Sequence, residues 1–401
     1  MTIRRAFALA VALAFASPGT AWPQQSGETI VSKAADSADK GDYRGALNQL
    51  DALARETAMA APLRQRICTV RAEALLGEAY YDQAVAPARA AVEQFDSLSK
   101  ADRADGLLLI ARIEVQRGDS AAASAALERA LATATEADGP VGLRTLKVED
   151  RVALVLSTSQ PAEAERVIRG VIGRADQLPD PPVRDKLRFL NTLGITLLRQ
   201  SKFGPAKEAF ESARNGRREL LSDRHPETLE STHNLGVALR RLGSVKEADS
   251  AFAEAFRIRS EVLGPDHPDT LITRTMIVRQ LIDKSDFETA TTEAQAICAA
   301  LTARVGESNV RTLEAMGDLA TAQFDSGRVS EGVQTYRRSY SLATAIPRRD
   351  ESGSYEHRPR MRGPTLQIRS VRRGALDIPA CPHGDEEDLR RREPGYDRHS
   401  P

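Results

Sequence analysis

The chain has 401 residues, of which 41% are hydrophobic and 28% are charged, and its 56 Lys and Arg residues balance its 56 Asp and Glu residues. This apolar content excludes a wholly disordered chain, and the zero net charge gives no electrostatic reason to expect nucleic-acid binding. Because only 4% of the residues are aromatic and alanine is abundant, the composition favours close-packed helices over a β-sandwich or barrel.

The first 21 residues have the pattern of a secretory signal peptide. Two arginines precede an apolar run over residues 6–16, and the small residues Gly19 and Ala21 stand before a predicted cleavage site ahead of Trp22. The run is shorter than the roughly 20 residues that a helix needs to cross a bilayer. We therefore expect residues 1–21 to be removed and the mature chain to be exported to the periplasm or the extracellular space without a transmembrane span.

An internal repeat organises residues 27–346. The copies at residues 188–213 and 231–256 match at a Leu-Gly pair, an alanine and a phenylalanine, each 42 residues apart. Eight units fit in this span. The small residue in the second half of each unit recurs at intervals of 38 to 42 residues, at Ala46, Ala84, Ala123, Ala164, Ala206, Ala248, Ala290 and Gly332.

Each unit has the apolar pattern of two amphipathic helices. In the sixth unit we predict a first helix from Leu229 to Arg241, which ends at Gly243 because glycine tolerates the left-handed conformation of a helix C-cap. A second helix is predicted from Val245 to about Leu263, with small and apolar residues three or four apart. One such pair cannot bury its apolar face alone, so neighbouring pairs should stack into a continuous core.

The joints before the last three units share a signal for a helix start. The pattern HPETL at His225 recurs as HPDTL at His267 and as NVRTL at Asn309. A proline just inside a helix costs no hydrogen bond, and the His or Asn before it can serve as the N-cap. Stacking would place the two histidines roughly 10 Å apart, whereas zinc ligands lie about 2.1 Å from their ion. We therefore expect caps here and no metal site.

These features resemble the tetratricopeptide repeat, in the 42-residue variety found in kinesin light chains. The family's small–aromatic–small pattern is matched at Gly194, Phe203, Ala206, Phe210 and Ala213. The resemblance implies an all-α fold, a right-handed α-solenoid of about eight stacked antiparallel helix pairs. Between about residues 140 and 180 we expect one distorted or short unit, because the pattern is interrupted by Pro161, Pro179, Pro181 and Pro182.

The resemblance also implies a concave groove, lined by the first helices, that binds extended or helical segments of other proteins. In relatives, an Asn just before the Leu-small pair holds the ligand backbone, and here Asn234 stands at that place while Asn191 is displaced by one residue. Met276 and Asp318 depart from the pattern. The alternative for each groove residue is a solvated helix face. The groove positions carried over from the family are Asn191, Thr192, Arg199, His233, Asn234, Arg240, Arg241, Thr275 and Arg279, with Ile195 and Val237 beside them.

Residues 347–401 leave the repeat pattern. They contain 12 Arg and 7 Pro, no Lys and no apolar period, so we expect a disordered tail. Two alternatives are open for this segment: a basic hook for anionic surfaces, and translation out of frame after Ile346.

No residue pattern indicates catalysis. The 401 residues contain no phosphate-binding loop, dinucleotide fingerprint, zinc-protease helix, nucleophile elbow or Cys-x-x-Cys pair. Cys68 and Cys298 are expected to be buried free thiols. We therefore expect no enzyme activity, cofactor or metal, and the leading hypothesis is an exported adaptor for a protein or peptide partner. The alternatives are the sensing half of a larger enzyme, with a kinase or caspase-like protease partner, and a structural filament.

Overall fold

A computed structural model of the chain describes residues 24–345, apart from 54–58, 95–97 and 181. The predicted signal peptide and the predicted tail lie outside the described residues. Within the described ranges the regular structure consists of sixteen helices: α1 Gln24–Asp39, α2 Tyr43–Leu53, α3 Ala61–Gly77, α4 Tyr81–Glu93, α5 Lys100–Arg117, α6 Ser120–Asp138, α7 Leu143–Ser159, α8 Pro161–Asp176, α9 Val183–Arg199, α10 Phe203–Leu221, α11 Pro226–Leu242, α12 Val245–Val262, α13 Pro268–Asp283, α14 Phe287–Val305, α15 Val310–Asp325 and α16 Val329–Ala345.

The helices form eight consecutive pairs, which we call units 1 to 8. Each odd-numbered helix is the first helix of its unit and packs against the even-numbered helix that follows, and each unit packs against the next. The fold is therefore the predicted all-α, right-handed α-solenoid. None of the helices in the described part of the chain is both long enough and apolar enough to cross a bilayer.

The small residues that defined the repeat lie where the two helices of a unit approach each other. On the second helices of the first seven units these alanines are almost completely buried, which confirms the predicted register. On the first helix, a Cβ added to Gly194 would lie 2.5 Å from the Phe210 ring, and one added to Gly236 would lie 2.7 Å from the Phe252 ring. Glycine is therefore needed opposite each phenylalanine.

The core consists of apolar clusters that join units adjacent in sequence. One cluster links units 1 and 2, a second links units 2 to 4, a third links units 4 to 7 and a fourth links units 7 and 8. Each apolar helix face is covered by its sequence neighbours, as expected for a stack in which one pair alone has too little core.

In unit 6 the predicted end of the first helix and both ends of the second agree with the structure to within one residue, whereas the first helix begins at Pro226, three residues before the predicted Leu229. Helix α11 ends at Leu242, and Gly243 follows as its cap with a φ of 84°. The expectation of a distorted unit between residues 140 and 180 is wrong. Pro161 occupies the first turn of α8, where it replaces an amide without an intrahelical partner, and Pro179 and Pro182 lie in the link to unit 5. These prolines lie at or beyond the ends of the unit 4 helices, and neither helix is interrupted.

The three predicted helix caps are confirmed. His225, His267 and Asn309 precede α11, α13 and α15, and each side chain accepts a hydrogen bond from the backbone N–H two residues later. The described cysteines, Cys68 and Cys298, are free thiols and are partly buried. Burial raises the pKa of both, and it raises that of Cys298 to about 12, so neither thiol is activated as a nucleophile.

Candidate functional site

One position of the first helices runs as a half-buried row from unit 2 to unit 8. It directly follows the fully buried residue that packs on the second helix, such as Gly194 in α9 or Gly236 in α11. We call this row the inner stripe. All seven of its side chains are partly accessible to water, and they are Glu73, Arg112, Leu154, Ile195, Val237, Arg279 and Thr321.

Arg112 of the inner stripe, in unit 3, acts on groups of three other units. Burial raises the pKa of Tyr43 in unit 1 and of Glu73 in unit 2, and the Arg112 guanidinium partly offsets this by lowering both. Arg112 also lowers the pKa of Arg151 in unit 4. A position that acts on several units is expected on the concave side of a stack, where the units face one another.

The centre of the inner stripe is apolar. Leu154, Ile195 and Val237 occupy it in three consecutive units, 4 to 6. Ile195 and Val237 pack on the apolar cluster that contains Phe210 and Phe252, and both keep part of their surface open to water. These residues lie on the inner wall because the residues next to them in each helix are buried or partly buried in the core.

Charged residues lie on both sides of the apolar centre. At the unit 7 end, Arg279 donates from Nε and Nη2 to the two carboxylate oxygens of Asp318, over 2.9 and 3.0 Å. Burial alone would lower the pKa of Arg279, but Asp318 outweighs it and the pKa is raised. At the unit 4 end, the pKa of Arg151 is lowered to about 10, chiefly by burial; Asp150 raises it, and the cations Arg188 and Arg112 lower it. Arg279 is thus neutralised by Asp318, and Arg151 lies beside the Asp150 carboxylate, which Arg188 shares.

The two asparagines of the predicted groove bind each other. Asn191 is buried, and its Oδ1 accepts from Ser231 Oγ over 3.2 Å and from Asn234 Nδ2 over 3.3 Å. Asn234, the residue at the family's clamp position, is partly buried. Thr192 and Thr275 are buried as well. The two amides and the Ser231 hydroxyl thus join the first helices of units 5 and 6, whereas Thr275 Oγ1 donates to the Ile272 main-chain oxygen within its own helix.

His233 forms part of the groove wall as a neutral side chain. Its ring lies 5.5 Å from the Phe252 ring, and Nδ1 lies 3.4 Å from Thr273 Oγ1. Its pKa is lowered to about 3, chiefly by burial and secondly by the nearby Arg259 guanidinium. His233 therefore presents a polar but uncharged edge at neutral pH.

The predicted groove arginines differ in accessibility. Arg240 forms an ion pair with Asp283 of the next first helix, so it joins units 6 and 7. Arg199 and Arg241 are exposed at equivalent positions of units 5 and 6. Of the predicted groove residues, these two are the most open to solvent.

Four residues of the inner stripe escaped the sequence reasoning. Thr321 lies in unit 8, one step of 42 residues after Arg279. The other three, Glu73, Arg112 and Leu154, lie in units 2 to 4, where the spacing of the repeat is 38, 39 and 41 residues and differs from the 42 residues of later units. Extending the groove register backwards from Ile195, one unit at a time and with the buried small residue as anchor, would have found them.

Comparison with known proteins supports the repeat assignment. Residues 187–227 and 228–269, which correspond to units 5 and 6, match the tetratricopeptide repeat family. No curated protein sequence matches the chain.

Solved structures share the fold at low sequence identity. A Rap protein complexed with competence and sporulation factor is 13% identical, with a TM-score of 0.59 over 80% of this chain and 98% of that one. NprR in complex with its cognate peptide NprX is 12% identical, with a TM-score of 0.59 over 85% of this chain and 94% of that one. The repeats of a putative kinesin light chain from Podosopora anserina are 18% identical, with a TM-score of 0.40 over 50% and 94%.

Proposed function

We propose that the chain is an exported, non-catalytic adaptor that binds an extended segment of a partner protein along the inner stripe. The apolar centre of the stripe carries the proposal. Leu154, Ile195 and Val237 keep apolar surface in contact with water at one position of three consecutive units. A partner that covers this surface gains the free energy of apolar burial. Among the similar structures, the Rap protein is complexed with competence and sporulation factor and NprR with its cognate peptide, which supports this choice of partner.

The dimensions of the stripe set the length of the bound segment. Packed helices lie about 10 Å apart, so three consecutive units span about 20 Å from Leu154 to Val237. An extended chain advances about 3.3 Å per residue, and about six residues therefore cover the apolar centre. Alternate side chains of such a segment would face the stripe, and two or three of them should be apolar.

The charges beside the apolar centre select the flanking residues of the partner. Arg151 lies at one end, and Arg199 and Arg241 are exposed on units 5 and 6. Guanidinium groups bind carboxylates through paired hydrogen bonds. We therefore propose a segment whose apolar residues are flanked by Asp, Glu or a chain terminus that carries a carboxylate.

The test is capture from an envelope extract by the immobilised mature chain. We expect a partner that the parent binds and that Val237→Asp loses, because the new carboxylate lies in the apolar centre. Val245→Asp is the matched control, since Val245 is exposed at the start of α12 and lies outside the stripe. Asn234→Ala and Arg241→Ala should weaken capture. A partner that binds Val237→Asp as well as the parent would refute the assignment of the stripe.

Export is the other part of the proposal, and it is supported by the signal-peptide pattern of residues 1–21. Mass spectrometry of the chain recovered from its native cells should find a mature protein that begins at Trp22. Recovery of the uncleaved chain from the cytosolic fraction would contradict this part while leaving the binding proposal intact.

A further inference from the structure

The turns of the first three units contact units that lie four or five places further along the chain. In the first of these contacts, Arg184 of unit 5 donates to Asp39 Oδ1 over 2.6 Å, at the end of α1. Beside it, the ring of Pro226 at the start of unit 6 lies against Gly41, where a Cβ would be 2.9 Å from the proline Cγ. We call this contact and its two equivalents below the seam.

The second and third contacts of the seam repeat the first one unit later each time. Arg304 of unit 7 donates to the main-chain oxygen of Glu78 over 2.6 Å and to its Oε2 over 2.8 Å, and the guanidinium stacks on the Tyr80 ring at 4.1 Å. Arg311 of unit 8 donates to Gln116 Oε1 over 3.3 Å. The contacts of Pro226, Arg304 and Arg311 each span five units, and that of Arg184 spans four. The seam therefore joins successive turns of the superhelix.

The residues that cap the helices also reach across the seam. In His267, Nδ1 accepts the capping hydrogen bond, and Nε2 lies 2.7 Å from the main-chain oxygen of Gly77. Since Nδ1 must accept, the proton resides on Nε2 and is donated to that oxygen. In Asn309, Oδ1 accepts the capping bond and Nδ2 donates to the main-chain oxygen of Gln116 over 3.1 Å. Histidine and asparagine share what this place requires: an acceptor for the cap and a donor for the seam.

The seam differs in chemistry from the contacts along the stack. None of the four apolar clusters in the described ranges spans it, because each joins sequence neighbours only. Apart from the contact at Pro226 and the stacking of Arg304 on Tyr80, the contacts named above are hydrogen bonds and ion pairs. Water can replace polar partners at small cost, whereas it cannot replace apolar burial. Separation at the seam therefore leaves every apolar cluster intact.

We infer that the seam is a clasp that opens and recloses while the stack of helices stays folded. Opening moves units 1 to 3 away from units 6 to 8 and widens the interior that the inner stripe faces. The closed form is held by the donors of His267, Asn309, Arg304 and Arg311. The inference concerns the motion of this chain alone and does not depend on the identity of any partner.

The motion can be measured as a distance between two spin labels on the full chain. Gln83→Cys and Ala303→Cys place exposed labels on opposite sides of the second contact, and Cys68, Cys298 and Cys381 are replaced by alanine. The reference pair combines the label at 83 with one at the exposed Ser120, so it joins units 2 and 3, which share an apolar cluster.

His267→Asp separates the seam from the helix cap. Aspartate is a good N-cap, but it replaces the donor with a carboxylate that faces the Gly77 oxygen, so α13 keeps its start and the seam loses its bond. His267→Asn is the matched control, because Asn309 already fills both roles at the next joint. Arg304→Gln removes the cation that binds Glu78, and Arg304→Lys keeps the charge.

We expect His267→Asp and Arg304→Gln to shift the 83–303 distances to a longer component, with smaller shifts in His267→Asn and Arg304→Lys. The 83–120 distances and the helical circular-dichroism signal should match those of the parent. An unchanged 83–303 distribution in both disruptive variants would overturn the inference. So would an equal broadening of the reference pair, because it would show unfolding of the stack in place of an opening.

Discussion

The joint between units 6 and 7 buries an arginine, Arg259. The next joint of the same chain holds other residues at the equivalent positions, and it therefore indicates how substitutions at this joint should affect stability. Arg259 donates from Nη1 to the Asp269 main-chain oxygen over 2.8 Å and to Thr273 Oγ1 over 2.7 Å, and both interacting side chains are buried. The equivalent positions 42 residues later hold Leu301 and Ala315, which are also buried. The polar pair at the joint between units 6 and 7 thus corresponds to an apolar pair at the joint between units 7 and 8.

The energies of the single and double substitutions follow from these contacts. Arg259→Leu removes two hydrogen bonds from a charged donor and gains some apolar burial, so we expect a loss of about 2–4 kcal/mol in the free energy of unfolding. Thr273→Ala leaves the buried guanidinium short of an acceptor, at a cost of about 1–3 kcal/mol. The double variant reproduces the pair at 301 and 315, so it should lose less than the sum, with a coupling energy of about 1.5–3 kcal/mol.

The assay is urea unfolding of the parent and the three variants, followed by circular dichroism. Hydrogen exchange of α12 and α13 localises the effect, since a repeat stack need not unfold in one step. As a matched control, Leu301→Arg alone should lower the free energy of unfolding more than Leu301→Arg combined with Ala315→Thr. Additive losses for Arg259→Leu and Thr273→Ala, with a coupling energy below about 0.5 kcal/mol, would refute the reasoning.

Other substitutions test the packing and the charge state of the first helices by urea unfolding. Gly194→Ala should cost about 1–3 kcal/mol, because the new methyl group meets the Phe210 ring, whereas Gly204→Ala has open space and should be harmless. Phe252→Ala should cost roughly 3–5 kcal/mol, and deletion of the segment after residue 346 should leave the transition unchanged. The pKa of His233 is lowered from 6.5 to about 3, so on acidification the unfolded chain takes up a proton that the folded chain refuses, and stability falls. His233→Gln should therefore make the urea midpoint less dependent on pH between about 7 and 5.

The stack of helix pairs could be predicted because its signals are local. Gly243 ends α11 and Pro226 begins it, and the pairing of Gly236 with Phe252 recurs 42 residues from an identical pair. Each signal acts within one unit, so periodicity alone reveals it. The distorted unit was predicted wrongly for the same reason. In the sequence alone, Pro161 looks like a break within a helix, because the sequence does not show that the helix begins at this residue.

The inner surface and the seam could be predicted only in part. The sequence identifies Asn191 and Asn234 as groove residues, but it does not show that Asn234 Nδ2 donates to Asn191 Oδ1. It identifies His267 as a cap, but the partner of its second nitrogen, Gly77, lies 190 residues earlier in the chain. Contacts of this kind depend on the curvature accumulated over five units, and no pattern within one unit records that curvature.

The seam contacts that span five units restrict how the number of repeats in this protein can change. In a stack held by nearest neighbours alone, duplication or loss of an internal repeat preserves every interface. Here, one added or deleted unit between positions 3 and 6 would bring Gly77 opposite a different joint and would mismatch all three contacts at once. Such a chain would keep its helices but lose the match between its turns, so insertions are better tolerated in loops than as whole repeats.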